Sequence, residues 1–281
     1  MKIGVHSATF VKDWSEDISP YIYKCKEAGY NSIEISLLGQ NFDSAEKINK
    51  LAQDLDVSIT CTTGLKKNED VTSSDPKLRK KGEDALRNAI EITSIMGSPI
   101  LTGVVHSPWG VSDTQGKYKE DKFIQSSKSI KNITGFLKEK NIRLGIEPLN
   151  RYETDFINTV DEGLYLCNLI DDSHVGLLLD VYHMNIEEKD ICASIEKASE
   201  KLFHFHVAEN DRGIPGTGSI DWIKIFQTLK KIQYDKNVTL EMFIQANENT
   251  SKDLFTWRNI ESDPYNAILQ SYNFLQKHLN E

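Results

Sequence analysis

Four side chains able to bind a metal ion occur in the second half of the sequence, each within or just beyond an apolar run. They are Glu147 in Gly-Ile-Glu-Pro, Asp180 in Leu-Leu-Leu-Asp-Val, His206 in His-Phe-His-Val and Glu241 in Thr-Leu-Glu-Met-Phe. Carboxylates in such runs are costly to bury unless they are paired, protonated or metal-bound. Three oxygen donors and one imidazole suit Mn²⁺, Mg²⁺ or Co²⁺ better than structural zinc. The pattern therefore predicts one shared divalent ion.

Each of these residues also has a simpler interpretation when it is taken alone. Asp180 could cap the turn that follows it, and His206 could be a core histidine with satisfied hydrogen bonds. Glu241 is harder to explain in this way, because a lone buried glutamate is rare. Only the recurrence of such residues at equivalent positions of four consecutive runs favours a metal site.

A second group of polar or aromatic residues lies close in sequence to these runs. Their types and positions make them candidates for contact with a bound small molecule, although surface, capping or loop-packing roles are the alternatives. Glu34 is a weaker candidate, and His204 is expected to face the same way as His206. The candidates are Glu153, His183, Arg212, His106, Trp109 and His6.

Short β-rich runs that alternate with longer amphipathic segments must position these side chains. Eight strand-helix units predict a closed parallel barrel with an outer ring of helices, a single domain of the (β/α)8 (TIM barrel) type over residues 1–281. An open doubly wound sheet is the alternative, but no Gly-rich turn follows the first strand. The predicted strands cover residues 3–9, 32–37, 58–63, 100–105, 143–149, 175–181, 203–207 and 238–244. The predicted helices cover residues 18–28, 44–55, 76–96, 123–140, 160–170, 191–201, 222–232 and 265–279.

Several helix ends carry sequence signals. Asp43 or Ser44 is expected to cap the second helix, and Asp75 precedes a proline that is tolerated in a first helical turn. Gly29 and Gly97 follow helical runs and predict their ends.

Composition limits the kinds of partner that this chain is expected to have. The net charge of -9 opposes tight, sequence-independent binding to nucleic acid and favours a small-molecule partner. The four cysteines are scattered without a C-x-x-C pair, which predicts reduced thiols. The sequence shows neither a signal peptide nor a segment of transmembrane length, so we expect a cytoplasmic protein without membrane contact.

In five segments the chain resembles the ketose 3-epimerases, the D-tagatose and D-psicose (allulose) 3-epimerase family of the xylose isomerase-like barrels. The segments are 146–153, 179–188, 204–206, 210–218 and 240–243. The resemblance implies an isomerase that inverts C3 of a free ketose and forms homodimers or homotetramers. It also implies one divalent ion, Mn²⁺ before Co²⁺ or Mg²⁺, held by the four residues that the pattern predicts.

The resemblance further implies roles for individual residues. Glu147 and Glu241 would exchange a proton with opposite faces of the sugar through an enediolate, one as base and the other as acid. Glu153, His183 and Arg212 would contact the ketose near its carbonyl end. Departures from the family pattern in the first strand and at Met242 leave the identity of the sugar open.

Three other functions remain as alternatives. The nearest is an aldose-ketose or hydroxypyruvate-type isomerase of the same superfamily, which moves a proton between C1 and C2. A barrel endonuclease with a multi-zinc cluster would require more ligands on the second to fourth strands and a basic face. A non-catalytic sugar-binding barrel would not need two opposed glutamates.

Overall fold

The computed structural model describes residues 1–112, 116–246 and 248–280, so residues 113–115, 247 and 281 of the predicted domain lie outside it. Eight parallel strands, each paired with the next in sequence order and the last with the first, form a closed barrel. The predicted fold class is therefore confirmed. The strands are β1 (Lys2–His6), β2 (Ser32–Ser36), β3 (Ser58–Leu65), β4 (Ile100–Pro108), β5 (Arg143–Ile146), β6 (Val175–Asp180), β7 (Leu202–Val207) and β8 (Asn237–Leu240).

Nine α-helices are present in the described residues, one more than the sequence pattern predicts. The additional helix is α6, a short segment that begins directly after β6. The helices are α1 (Ser19–Glu27), α2 (Phe42–Asp54), α3 (Pro76–Ile95), α4 (Lys119–Lys140), α5 (Val160–Ile170), α6 (Val181–Glu187), α7 (Ile191–Ala198), α8 (Trp222–Lys231) and α9 (Pro264–Asn280).

Amphipathic spacing explains how the outer helices attach to the barrel. In α8, Trp222, Ile225, Phe226 and Leu229 are buried at helical spacing, while Lys224, Lys230 and Lys231 are exposed. The strands are buried on both faces, as in β6, whose six residues are all buried. Closure of the barrel thus places a continuous apolar layer between the strands and the helices. The ends of the strands lie outside this layer and can carry polar side chains.

The helix-end predictions have a mixed outcome. Asp75 accepts a hydrogen bond from the backbone of Lys77, and Gly29 and Gly97 have positive φ after α1 and α3, as expected. The predicted cap of α2 is wrong, because Asn41 is the N-cap and Ser44 completes a capping box from the third helical position.

The four cysteines are all free thiols, as predicted. Three are buried and Cys192 is half-buried. Burial raises the pKa of the Cys61 thiol to about 12, so this group stays protonated. Among the described helices none combines the length and apolar character required to cross a bilayer.

Candidate metal centre and active site

The four predicted metal ligands lie together at the C-terminal end of the barrel. Asp180 and His206 are paired in register across β6 and β7. Glu147 and Glu241 come directly after the last residues of β5 and β8, and each donates its backbone N–H to the preceding strand, at 3.2 and 3.0 Å. One ligand atom from each of the four lies within 4.8 Å of the others, and all four residues are buried. The arrangement can hold one cation.

Two atoms of this cluster have no hydrogen-bond partner although they are buried. They are Asp180 Oδ2 and His206 Nδ1. The other carboxylate oxygen of Asp180 accepts the backbone N–H of Tyr182 and so caps α6, at 2.9 Å. Asp180 therefore fulfils the capping interpretation and still directs its second oxygen at the cluster. Charged neighbours lie close to both atoms without hydrogen-bond geometry, Arg212 Nη2 at 3.3 Å from Asp180 Oδ2 and Glu241 Oε2 at 3.4 Å from His206 Nδ1, so both atoms remain available to a cation.

Glu34, on β2, determines which nitrogen of His206 faces the cluster. Its Oε2 lies 3.1 Å from His206 Nε2 and 2.5 Å from His204 Nε2. Glu34 is fully buried, and although burial raises the pKa of its carboxyl, attraction to the two histidines lowers it well below the ordinary value. Although burial lowers the pKa of His206, attraction to Glu241 and Glu34 raises it well above the ordinary value. Glu34 holds the Nε2 proton, so Nδ1 is the nitrogen that can give up its proton to become a ligand. The sequence suggested Glu34 only weakly, as a carboxylate inside an apolar strand.

The environments of the two glutamates push their pKa values apart. Burial and repulsion by Glu241 raise the pKa of Glu147 well above the ordinary value. Burial also raises the pKa of Glu241, but attraction to His206 and Arg212 outweighs it, so the net shift is downward.

Arg212 lies across the cluster from the loop after β7. Its Nη1 is 2.5 Å from Glu241 Oε2, and its Nη2 is 3.3 Å from Asp180 Oδ2. The guanidinium carbon is 4.1 Å from the ring centroid of Tyr182 and 4.3 Å from that of Phe243. The two rings and two carboxylates fix the cation in place despite its burial.

Glu153, His183 and Trp109 form a connected polar wall beside the cluster, as expected from the sequence. Trp109 Nε1 donates to Glu153 Oε2 at 3.3 Å. Asn150 Nδ2 donates to Glu153 Oε1 at 2.9 Å, and the backbone N–H of Asn150 donates to His183 Nδ1 at 3.2 Å. His183 Nε2 lies 2.9 Å from Arg212 Nη2. Glu153 thus lies outside the four-residue cluster and lines the cleft.

The two remaining candidates differ in their placement. His6 borders the cleft, its Nδ1 accepts the backbone N–H of Ala8 at 3.0 Å, and its unpartnered Nε2 lies 3.8 Å from Glu241 Oε1. His106 lies within β4 rather than after it, and its Nε2 is 2.9 Å from the backbone oxygen of Glu147. His106 is fully buried and is not among the described residues that line the cleft. This placement favours support of the Glu147 backbone over the expected sugar contact.

The cleft above the cluster is enclosed by residues from several strand-helix loops. Trp14, Leu38 and Leu254 line it together with residues of the polar wall. The free volume is about 60 Å³, which accommodates water rather than a hexose.

Comparisons with known proteins agree with this geometry. The profile of the family described as the xylose isomerase-like TIM barrel matches residues 22–260. The ketose 3-epimerase of Arthrobacter globiformis is 32% identical over 94% of this chain and 91% of its own length. The D-psicose 3-epimerase of Enterocloster bolteae is 30% identical over 94% and 89%.

The chain belongs to the ketose 3-epimerases of the xylose isomerase-like TIM barrel family. The crystal structure of D-psicose 3-epimerase with D-tagatose from Clostridium cellulolyticum H10 has a TM-score of 0.94 and 26% identity, covering 99% of both chains. The family resemblance that the sequence suggested is thus confirmed, and this family member is a carbohydrate epimerase, an isomerase.

Proposed function

We propose that this epimerase inverts C3 of a free ketose of the D-tagatose, D-fructose or D-psicose type, with one divalent ion, Mn²⁺ in preference to Co²⁺ or Mg²⁺. The observation that carries the proposal is the buried cluster of Glu147, Asp180, His206 and Glu241. The names of the relatives, which are ketose and D-psicose 3-epimerases, support the same reaction.

The donor set fits a hard divalent ion. Three carboxylates and one imidazole offer mostly oxygen, and the two unpartnered atoms of Asp180 and His206 point at the same space. When bound, the ion supplies Lewis acid chemistry, polarising the carbonyl and adjacent hydroxyl of the ketose and stabilising the charge that develops during proton removal.

We assign the proton transfer to Glu147 and Glu241. β5 and β8 lie at the two ends of the arc formed by β5 to β8, so these carboxylates approach the cleft from opposite sides. One removes the C3 proton to give an enediolate, and the other returns a proton to the opposite face of C3. In the reverse direction the two residues exchange roles.

The polar wall orients the sugar. The Glu153 carboxylate, held by Trp109 and Asn150, accepts hydrogen bonds from hydroxyl groups near the carbonyl end. Burial, followed by the nearby Arg212 charge, lowers the pKa of His183 well below the ordinary value, so His183 contacts the sugar as a neutral ring. His6 Nδ1 accepts a hydrogen bond from the backbone N–H of Ala8, so the ring proton of His6 is on Nε2. This Nε2–H donates into the cleft.

A hydrogen-exchange experiment tests the proposal. The Mn²⁺-loaded enzyme is incubated with a panel of free ketoses in D₂O, and NMR locates the incorporated deuterium. We expect label at C3 of the ketose. Label at C1 would instead identify an aldose-ketose isomerase of the same superfamily, and absence of label in every sugar would refute both reactions.

Substitution of the two glutamates tests their roles. Glu147→Gln and Glu241→Gln should each lower the exchange rate by at least about 10²-fold, because a general acid-base group alone contributes roughly 10² to 10⁴. The control is Glu91→Gln, which makes the same chemical change at a surface ion pair with Lys140 and should leave turnover unchanged. Near-normal turnover by either active-site variant would remove that residue from proton transfer.

A further inference from the structure

A second pocket lies at the opposite, N-terminal end of the barrel. Its lining includes the first residues of several strands, among them Lys2 of β1, Arg143 of β5 and Asn237 of β8. The pocket has a volume of about 490 Å³, which is within the usual range for sites that bind small molecules. None of the residues that line it also lines the catalytic cleft.

The charge of this pocket is opposite to that of the whole chain. Lys2, Arg143, Lys236 and two histidines line it, and no aspartate or glutamate is among its described lining residues. The chain as a whole has 42 acidic against 33 basic side chains. A concave surface with three fixed cations and no carboxylate attracts anions.

The three cations lack carboxylate partners. Within the described part of the chain, no carboxylate lies within 4.0 Å of the charged nitrogens of Lys2, Arg143 or Lys236. Arg143 and Lys236 both pack against the ring of Phe203, with the charged groups 5.2 and 5.9 Å from its centroid. Burial, followed by repulsion from Arg143, lowers the pKa of Lys236, and attraction to Asp235 offsets this only in part. Lys236 Nζ donates a hydrogen bond to the backbone oxygen of Leu202 at 2.7 Å, so within contact distance these cations meet neutral groups rather than carboxylates of the described protein.

An unpartnered hydroxyl group also lines this pocket. Thr60 is only 3% exposed, and its Oγ1 is buried without a hydrogen-bond partner in the structure. Buried hydroxyls normally have a partner, so this one requires an explanation. An oxyanion in the pocket would accept its hydrogen bond.

We propose that the pocket at the N-terminal end of the barrel binds a phosphate group, either inorganic phosphate or the phosphate of a small organic molecule. A doubly charged phosphate matches three cations better than a single carboxylate does. The planar guanidinium of Arg143 can donate two parallel hydrogen bonds to it, and Lys2 and Lys236 add point charges. The proposal does not rest on the reaction proposed at the other end of the barrel, although His204, which lines this pocket, shares Glu34 with His206.

Calorimetric titration of the Mg²⁺-loaded full-length enzyme with inorganic phosphate tests the proposal. We expect the wild type to bind one phosphate saturably. The double variant Arg143→Gln, Lys236→Gln should bind phosphate more weakly, by at least about tenfold for each of the two cations removed. The control pair Lys50→Gln and Lys224→Gln makes the same change in net charge at exposed positions and should bind phosphate as the wild type does. Absence of saturable binding, or equal affinity in the double variant, would overturn the proposal.

Two further variants place the ligand. Glu147→Gln should retain phosphate binding, and a loss in this variant would place phosphate at the metal centre and overturn the proposal. If the double variant does not fold, Thr60→Val keeps the shape of the side chain and removes the unpartnered hydroxyl. We expect it to weaken phosphate binding about fivefold, and unchanged affinity would contradict the proposal.

A competition experiment distinguishes inorganic phosphate from an organic phosphate as the ligand of the pocket. Adenosine monophosphate, which carries a phosphate on a molecule of metabolite size, is titrated in the presence of saturating inorganic phosphate. Displacement of inorganic phosphate supports an organic phosphate as the ligand, whereas saturable phosphate binding without displacement supports the free ion.

Discussion

The substitution Glu34→Gln tests whether the metal centre depends on a residue that does not face it. The carboxylate Oε2 accepts hydrogen bonds from both His204 and His206, and Oε1 accepts one from Thr102 at 3.1 Å. Glutamine has the same shape and can place its amide oxygen at the position of Oε2. The substitution therefore removes the negative charge with little change in packing.

The expected effect follows from the strength of the bond to His206. A hydrogen bond to a charged group contributes roughly 1.5 to 3 kcal/mol and a neutral one roughly 0.5 to 1.5 kcal/mol, so about 1.5 kcal/mol is lost. That loss alone weakens metal binding about tenfold, because 1.4 kcal/mol is a factor of ten. Disorder of the ring can extend the effect to about a hundredfold, the upper range for residues that orient metal ligands.

Calorimetric titration of Mn²⁺ into chelator-treated protein measures this effect. The wild type is compared with Glu34→Gln and with the control Glu196→Gln. Glu196 forms an exposed ion pair with Lys231, so the control makes the same chemical change on the surface. We expect only Glu34→Gln to lose affinity. A dissociation constant within twofold of the wild type would refute the argument that Glu34 orients His206 as a ligand.

Three further predictions concern the scaffold and the cleft. Glu209 accepts hydrogen bonds from Trp222 and from three backbone N–H groups of the loop after β7, so Glu209→Gln should lower the free energy of unfolding by about 2 to 4 kcal/mol in chemical denaturation. Although burial raises the pKa of this carboxyl, its hydrogen bonds lower the pKa overall. The ionised Glu209 carboxylate thus stabilises the fold fully above the ordinary glutamate pKa of about 4.3. The difference in the free energy of unfolding between wild type and Glu209→Gln should shrink as the pH falls below that value. A difference that stays constant with pH would contradict the assignment. Gly103→Ala should destabilise the barrel by about 3 kcal/mol or more, because φ is 108° and a Cβ would clash with β3. By contrast, Gly135→Ala, in a helix with open space around it, should be neutral or stabilising by up to about 1 kcal/mol, and equal thermal shifts in the two variants would refute the steric argument. Trp109→Phe removes the hydrogen bond to Glu153 and should raise KM for the ketose about fivefold with a smaller change in kcat, whereas an unchanged KM would remove Trp109 from sugar binding.

Much of the fold and of the metal cluster could be predicted from the chain alone. The alternation of β-rich and amphipathic segments predicted all eight strands, because each unit must bury one helix face against a strand. The sequence also indicated the four ligands of the metal cluster, because a polar side chain at the end of an apolar run is costly to bury unless it is paired or bound to a metal. These residues are Glu147, Asp180, His206 and Glu241. In a parallel barrel the ends of neighbouring strands meet, so their convergence followed from the fold class.

Other features depended on tertiary structure. The strands β5 and β8 end one residue before their glutamates, and α6 begins directly after Asp180, where a seven-residue helix left no recognisable period. His106 was expected near a bound sugar, but β4 extends three residues further than predicted and buries it against the Glu147 backbone.

Glu34 shows the limit most clearly. It stands 170 residues before His204 in the sequence, and β2 is not a neighbour of β7. Only closure of the barrel directs both side chains into the same interior space. The sequence by itself determined which residues could bind an ion, because residue type and strand position are local properties. The tertiary structure decided which atom of each residue is free to do so, because hydrogen bonds across the barrel fix the orientation of each ring and carboxylate.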